Sequence, residues 1–142
     1  MYHLTAEASF DSAHFLFGHQ GKCSNLHGHR WRIIAKISGE TLQESADKSG
    51  MLIDFSDFKR ELHTLADSLD HALLIETGTL RLSTLDALEG EGFEIITLPF
   101  RPTAENLAKY LYDCMKELGF PITSMTVYET PDNCAAYEGS EP

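Results

Sequence analysis

The sequence predicts an α+β fold: an antiparallel sheet with helices packed on one face. Three observations carry that expectation. Residues 2–14 alternate strictly between two faces, residues 55–69 switch to helical spacing, and residues 103–118 repeat that spacing behind a capping threonine. The 142 residues suit one domain with a real core, expected to span 1–142.

In the first strand, Tyr2, Leu4, Ala6, Ala8, Phe10, Ser12 and His14 share a face, and His3, Thr5, Glu7, Ser9 and Asp11 share the other. Residues 15–26 hold Gly18, Gly21, Ser24 and Asn25 and read as a loop. A second strand places His27, His29, Trp31, Ile33, Ala35 and Ile37 on one face, opposite Arg30, Arg32 and Lys36. Residues 38–50 read as a turn, and Met51-Leu52-Ile53 as a short strand extension. Phe55, Phe58, Leu62, Leu65, Ala66 and Leu69 form a helical stripe, with Asp54 or Ser56 as N-cap. Residues 76–92 read as a mixed loop and Phe93–Leu98 as a short strand. Thr103 caps a second helix that buries Ala104, Leu107, Ala108, Leu111, Met115 and Leu118 and stops at Gly119 and Pro121. Ile122–Thr130 is the last strand, and the tail after Pro131 is polar. The expected order is β-β-α-β-α-β.

Composition narrows the function. Apolar residues make up 42% and charged residues 23%, as in ordinary globular proteins. No apolar run approaches the roughly 18 residues of a membrane span. The N-terminus lacks the basic-then-apolar pattern of a signal peptide, so a cytoplasmic protein is expected. A net charge of −11 argues against nucleic acid or an anionic membrane as partner. Three cysteines, Cys23, Cys114 and Cys134, do not make a disulfide framework.

The histidines carry the chemistry. His27 and His29, two apart on a strand, point the same way, and Gly28 leaves room between them. If the first two strands pair antiparallel, His14 joins them at one end of the sheet. Three neutral imidazoles suit zinc and leave a fourth position open; the alternative is three histidines with ordinary hydrogen bonds. Cys23 is either a fourth ligand or a nucleophile or base beside the metal. Asp70-His71 is either an acid–base pair or a helix end with a histidine near the dipole. Glu129 shares a strand face with Met125 and Val127, so it is either an inward carboxylate awaiting N–H donors or a strand end in solvent. Cys114 reads as inert filling. His3 and His63 read as structural or solvated, and His19 as a loop residue at most lining a site.

Six segments in order make the chain resemble the 6-pyruvoyl-tetrahydropterin synthase family, and within it the carboxy-forming branch, 6-carboxy-tetrahydropterin synthases of queuosine biosynthesis. They are Ser9–His14, Cys23–His29, Leu52–Phe55, Leu69–His71, Pro102–Asn106 and Val127–Thr130. The resemblance implies the tunnelling fold, with sheets of several subunits joined into a barrel, as trimers or hexamers with active sites between subunits. It implies zinc on His14, His27 and His29, and a catalytic triad of Cys23 with Asp70 and His71 across a subunit boundary. Glu129 would anchor the 2-amino-pyrimidinone edge of the pterin. The implied substrate is 7,8-dihydroneopterin triphosphate, cleaved to 6-carboxy-5,6,7,8-tetrahydropterin with loss of acetaldehyde and triphosphate. The alternatives are the pyruvoyl-forming reaction, which only eliminates triphosphate, and a non-catalytic zinc- or pterin-binding protein. Lys22, Arg30, Arg32 and Arg101 are the candidate cations for the triphosphate. Thr103 and Glu105 match a segment near the pterin pocket or simply cap the helix.

Overall fold

The computed structural model describes residues 1–139. Two long strands dominate it, β1 (Tyr2–His14) and β2 (His27–Gly39). They pair antiparallel over thirteen residues without interruption, from Tyr2 opposite Gly39 to His14 opposite His27. Next come the helix α1 (Phe55–Leu69), strand β3 (Ala72–Glu76), helix α2 (Leu82–Gly90) and strand β4 (Ile95–Leu98). Helix α3 (Ala104–Glu117) and strands β5 (Ile122–Thr130) and β6 (Asn133–Glu138) complete the chain. The strands form one six-stranded sheet in the order β4-β3-β1-β2-β5-β6.

Four strands, β1, β2, β5 and β6, are antiparallel as expected. The sheet as a whole is mixed, because β3 runs parallel to β1 and β4 parallel to β3. Parallel neighbours need a crossover of a dozen or more residues. That need explains the stretch expected to be a mixed loop: residues 76–92 contain the end of β3 and all of α2. None of the α2 residues is buried, so the helix lacks the apolar stripe that would announce it. The polar tail also differs from expectation, since Pro131 and Asp132 turn it back as β6 along β5. Met51-Leu52-Ile53 is not a strand. Its chain is held instead to Gln43, whose N–H donates to the Met51 carbonyl at 2.9 Å.

Helices α1 and α3 form where their sequences place apolar residues every three or four positions. Asp54 caps α1 by accepting from the Ser56 N–H at 2.7 Å, and Thr103 caps α3 by accepting from Asn106 at 3.2 Å. The α1 stripe buries Phe58, Leu62, Ala66 and Leu69. The α3 stripe buries Leu107, Leu111 and Met115, with Tyr112 added and donating to the Ile122 carbonyl. Leu118 caps the C-terminus of α3 and is exposed, not buried. Gly119 ends the helix at φ 90°, a conformation natural only to glycine. Both stripes cover the sheet face that carries Phe10, Trp31, Ile33, Ile37, Met125 and Val127. Among the described residues, no helix is long and apolar enough to cross a membrane.

Removing the side chain of fully buried Leu107 (Leu107→Ala) should cost about 3 kcal/mol. Equilibrium urea unfolding would measure the loss, and a cost below about 1 kcal/mol would show that α3 packs less tightly than described.

Candidate metal centre

The β1–β2 register builds the site. His14 lies directly opposite His27, and Ser12 opposite His29. Alternation then turns His14, His27 and His29 to the core-facing side, at the end of the sheet where β1 finishes and β2 begins. Trp31 forms the floor. Its ring meets those of His14 and His29 edge to face at 4.9 and 5.2 Å, and its indole N–H donates to the Ser12 carbonyl at 3.1 Å. Phe10 stacks behind it at 6.0 Å. The apolar floor fixes the imidazole planes and keeps water from beneath them.

Backbone carbonyls set the tautomers. Nδ1 of His14 is 2.8 Å from the Pro102 carbonyl, and Nδ1 of His27 is 2.6 Å from the Asn25 carbonyl. A carbonyl only accepts, so both Nδ1 atoms carry the proton and donate. In a neutral imidazole the Nε2 is then a bare lone pair. Nε2 of His14 and Nε2 of His27 nevertheless face each other at 3.1 Å. Two lone pairs at that separation repel unless a cation lies between them.

Burial strengthens the case. Desolvation pushes the His14 pKa below the ordinary imidazole value, against the raising effect of the Pro102 carbonyl, and neighbouring His27 lowers it further. Desolvation also lowers that of His29, against the opposing charge of Glu129. Both rings are therefore held neutral, the form in which imidazole binds metal. Nε2 of His29 is buried and has no hydrogen-bond partner. It lies 3.1 Å from Oε1 of Glu129 but outside hydrogen-bond geometry.

Glu129 is the residue whose neighbours differ most from expectation. Its Oε1 is 3.3 Å from Nε2 of His14 as well as 3.1 Å from His29. One donor atom each from His14, His27, His29 and Glu129 falls within 4.8 Å of all the others. This group could hold a metal ion: one orphaned nitrogen, two opposed lone pairs and a carboxylate converge on one point. In this position the carboxylate faces the imidazoles rather than solvent. Strand alternation made Glu129 legible as an inward carboxylate, but not which groups it would meet.

The remaining candidates make no hydrogen bond to this group among the described residues. Cys23 lies in a short 3₁₀ turn (Lys22–Ser24), half-buried and free. Its carbonyl accepts from the Leu16 N–H at 2.9 Å, which folds the loop back on itself. No hydrogen bond joins Cys23 to His71 among the described residues. Asp70 and His71 form a pair at 2.8 Å on the far side of β1. Asp11 locks that pair with its whole peptide backbone: its N–H donates to Asp70 Oδ1 at 2.8 Å, and its carbonyl accepts from the His71 N–H at 2.6 Å. His71 is held at φ 52°, the one non-glycine residue with positive φ among those described. Such strain persists only where its surroundings over-determine it. The His71 ring is exposed and lines a cavity of about 660 Å³ with Leu26, Leu73, Leu88, Phe93 and Ile95. The hydrogen bond and charge of Asp70 raise the His71 pKa, and the Asp11 N–H foremost, then His71, lowers that of Asp70. Sequence reasoning missed Asp11 and the Pro102 and Asn25 carbonyls, because backbone groups leave no mark in residue type.

A family model described as 6-pyruvoyl tetrahydropterin synthase matches residues 3–140. The chain belongs to this family. A Haemophilus influenzae protein named 6-carboxy-5,6,7,8-tetrahydropterin synthase is 37% identical, over 97% of this chain and 99% of its own. A Rickettsia bellii protein of the same name is 31% identical, over 94% and 97%. The structure of Caenorhabditis elegans 6-pyruvoyl tetrahydropterin synthase is similar at a TM-score of 0.70 and 25% identity, covering 98% of this chain and 96% of that one. An uncharacterized protein of Wolinella succinogenes shares the fold at a TM-score of 0.81 and 20% identity, over 98% of each chain. The α+β architecture expected from the sequence is thus the tunnelling fold of the 6-pyruvoyl tetrahydropterin synthase family.

The Asp70–His71 pair predicts a sign. A carboxylate favours charged imidazole, so the pair stabilises the fold below the raised His71 pKa and loses that contribution as pH climbs through it. Proton NMR should place the His71 titration above that of a free imidazole, and Asp70→Asn should bring it down. An unmoved midpoint in Asp70→Asn would break the assignment.

Proposed function

We propose that this chain is a zinc-dependent carbon–carbon and carbon–oxygen lyase acting in queuosine biosynthesis. It converts 7,8-dihydroneopterin triphosphate to 6-carboxy-5,6,7,8-tetrahydropterin, with release of acetaldehyde and triphosphate. The observation that carries the reading is the convergence of three imidazole nitrogens and a carboxylate at the sheet end. The names of the Haemophilus influenzae and Rickettsia bellii relatives, both carboxy-forming, support the product.

His14, His27 and His29 hold the ion in this reading, because nitrogen donors with a carboxylate suit tetrahedral zinc. Bound there, zinc supplies Lewis-acid polarisation of the substrate's side-chain oxygens. Glu129 would complete the donor set. Cys23 stands outside that set and serves as the acid–base group that moves protons on the side chain, with Asp70 and His71. Asp70 holds the His71 ring by Nδ1 and leaves Nε2 to exchange the proton. The pterin edge falls to Glu105, whose exposed carboxylate has neither hydrogen-bond nor ion-pair partner among the described residues. It lies three residues beyond the Pro102 carbonyl that orients His14.

The active unit is a homo-oligomer, a trimer or hexamer, in which His71 of one subunit meets Cys23 of the next. Exposed Leu26 and Phe93 around the His71 cavity support a covered surface there. The free outer edges of β4 and β6 support joining of sheets. The whole chain acts as one domain, with a cytoplasmic site of action and no nucleic acid or membrane partner.

Incubating the metal-loaded protein with dihydroneopterin triphosphate tests the reading. Acetaldehyde and a carboxypterin are expected; a pyruvoyl product, or no turnover, would overturn it. Cys23→Ala should lower kcat by at least about 10³-fold while metal content stays near one ion per chain. Loss of the metal would instead make Cys23 a ligand. Glu129→Gln should weaken metal retention by about 10-fold or more in chelator competition, whereas Glu105→Gln should raise KM and leave the metal in place. The reverse pattern would return the pterin edge to Glu129.

A further inference from the structure

We propose that Arg101 and Lys22 form an anion-binding rim beside the metal centre and hold the triphosphate of the substrate. This inference rests on the reaction proposed above and names the residues that recognise its charged group. The chain carries 22 Asp and Glu against 11 Lys and Arg, so a multiply charged anion must find local cations in a repelling field.

Five of the eleven basic residues are paired with carboxylates among the described residues. Arg30 pairs with Asp11 and Arg32 with Glu7, each at 3.1 Å, and both project from the sheet face opposite the histidines. Arg60, Lys48 and Lys109 are paired through Asp57 and Asp113. Arg101 and Lys22 have no carboxylate within ion-pair distance among the described residues. Lys36 is also unpaired, but it lies opposite Thr5. That is nine residues before His14, or about 30 Å down the strand. Lys116 lines a cavity with Lys36 at that same far end. Lys59 lies over the Phe55 ring at the start of α1, and Arg81 precedes α2.

The positions of Arg101 and Lys22 are set by the groups that build the metal centre. Arg101 immediately precedes Pro102, whose carbonyl accepts from Nδ1 of His14. The Arg101 guanidinium donates to the Phe17 carbonyl, and the Asn106 side chain holds the Arg101 carbonyl at 2.9 Å. Phe17 belongs to the loop between His14 and His27, which the Leu16–Cys23 hydrogen bond folds back on itself. Lys22, next to Cys23, is exposed on that same loop. Residues 15–26 and 99–104 contain no Asp or Glu at all. An acid-free segment thus borders the histidines on two sides in an otherwise acidic chain.

The Phe17 partner is the telling feature. A neutral carbonyl holds one guanidinium nitrogen in place without cancelling the charge, and leaves further N–H donors for a phosphate. A carboxylate in that place would have neutralised it, as at Arg30 and Arg32. The rim would thus bind the substrate's charged tail while the metal engages its side chain.

The test measures binding of inorganic tripolyphosphate by calorimetry to the metal-loaded protein, with metal content checked after each titration. Arg101→Gln and Lys22→Ala should each weaken it at least tenfold, and Arg101→Lys should recover part of the loss. Each should raise KM for dihydroneopterin triphosphate by a similar factor, and change affinity for unphosphorylated dihydroneopterin less than twofold. Unaltered tripolyphosphate affinity, or an equal loss with dihydroneopterin, would overturn the rim. Should Arg101→Gln fail to fold, Lys22→Ala at an exposed loop position decides. A wild-type protein that binds tripolyphosphate through Arg101 but does not turn over the pterin would overturn the reaction and leave the rim standing. Normal turnover with unchanged KM in both variants would do the opposite.

Discussion

The uninterrupted pairing of β1 with β2 places everything else. Thirteen residue pairs run from Tyr2–Gly39 to His14–His27, and the last pair begins the candidate metal centre. A slip of one residue would send either strand's entire set of side chains to the opposite face. The register is protected by what it buries: Ala6, Ala8, Phe10, Trp31, Ile33, Ala35 and Ile37 all lie in the core. The same alternation that hides these apolar groups carries the three histidines inward with them. Core and site are therefore one pattern, and the histidines cannot turn outward without exposing the tryptophan beneath.

That arrangement is unfavourable by itself. Two imidazole Nε2 atoms opposed at 3.1 Å, one nitrogen orphaned and a carboxylate close by, are what burial ordinarily avoids. The packing holds them there because Pro102, Asn25 and Trp31 fix each ring from behind. A bound cation turns the same geometry into a favourable one. His71 shows the same principle on the other side of β1. The Asp11 carbonyl accepts from the His71 N–H and its N–H donates to Asp70, and together they hold His71, with its exposed ring, in a left-handed backbone conformation.

Periodicity made much of this legible. β1, β2, α1, α3 and β5 emerge with near-correct bounds, because each buries a repeating apolar face large enough to leave a signature. The elements that escaped have little of that signature. α2 buries nothing, and β6 is an exposed hairpin partner of β5. β3 is short, and only its parallel place beside β1 distinguishes Leu73-Leu74-Ile75 from a run of loop residues. The six matched segments added the family, through residues whose chemistry periodicity cannot explain.

By itself the sequence determined which side chains face inward and which helices are capped, since both depend on neighbours a few positions away. It therefore put His27 and His29 on one face and offered His14 and Glu129 as candidates to join them. Only the tertiary structure decided what those groups meet. Glu129 reaches the histidines because β5 lies beside β2, and Pro102, 88 residues from His14 along the chain, supplies the carbonyl that orients it. Asp11 grips Asp70 and His71 only because α1 returns the chain to the edge of β1. Contacts of that kind are settled by how whole elements pack, and no local pattern encodes them.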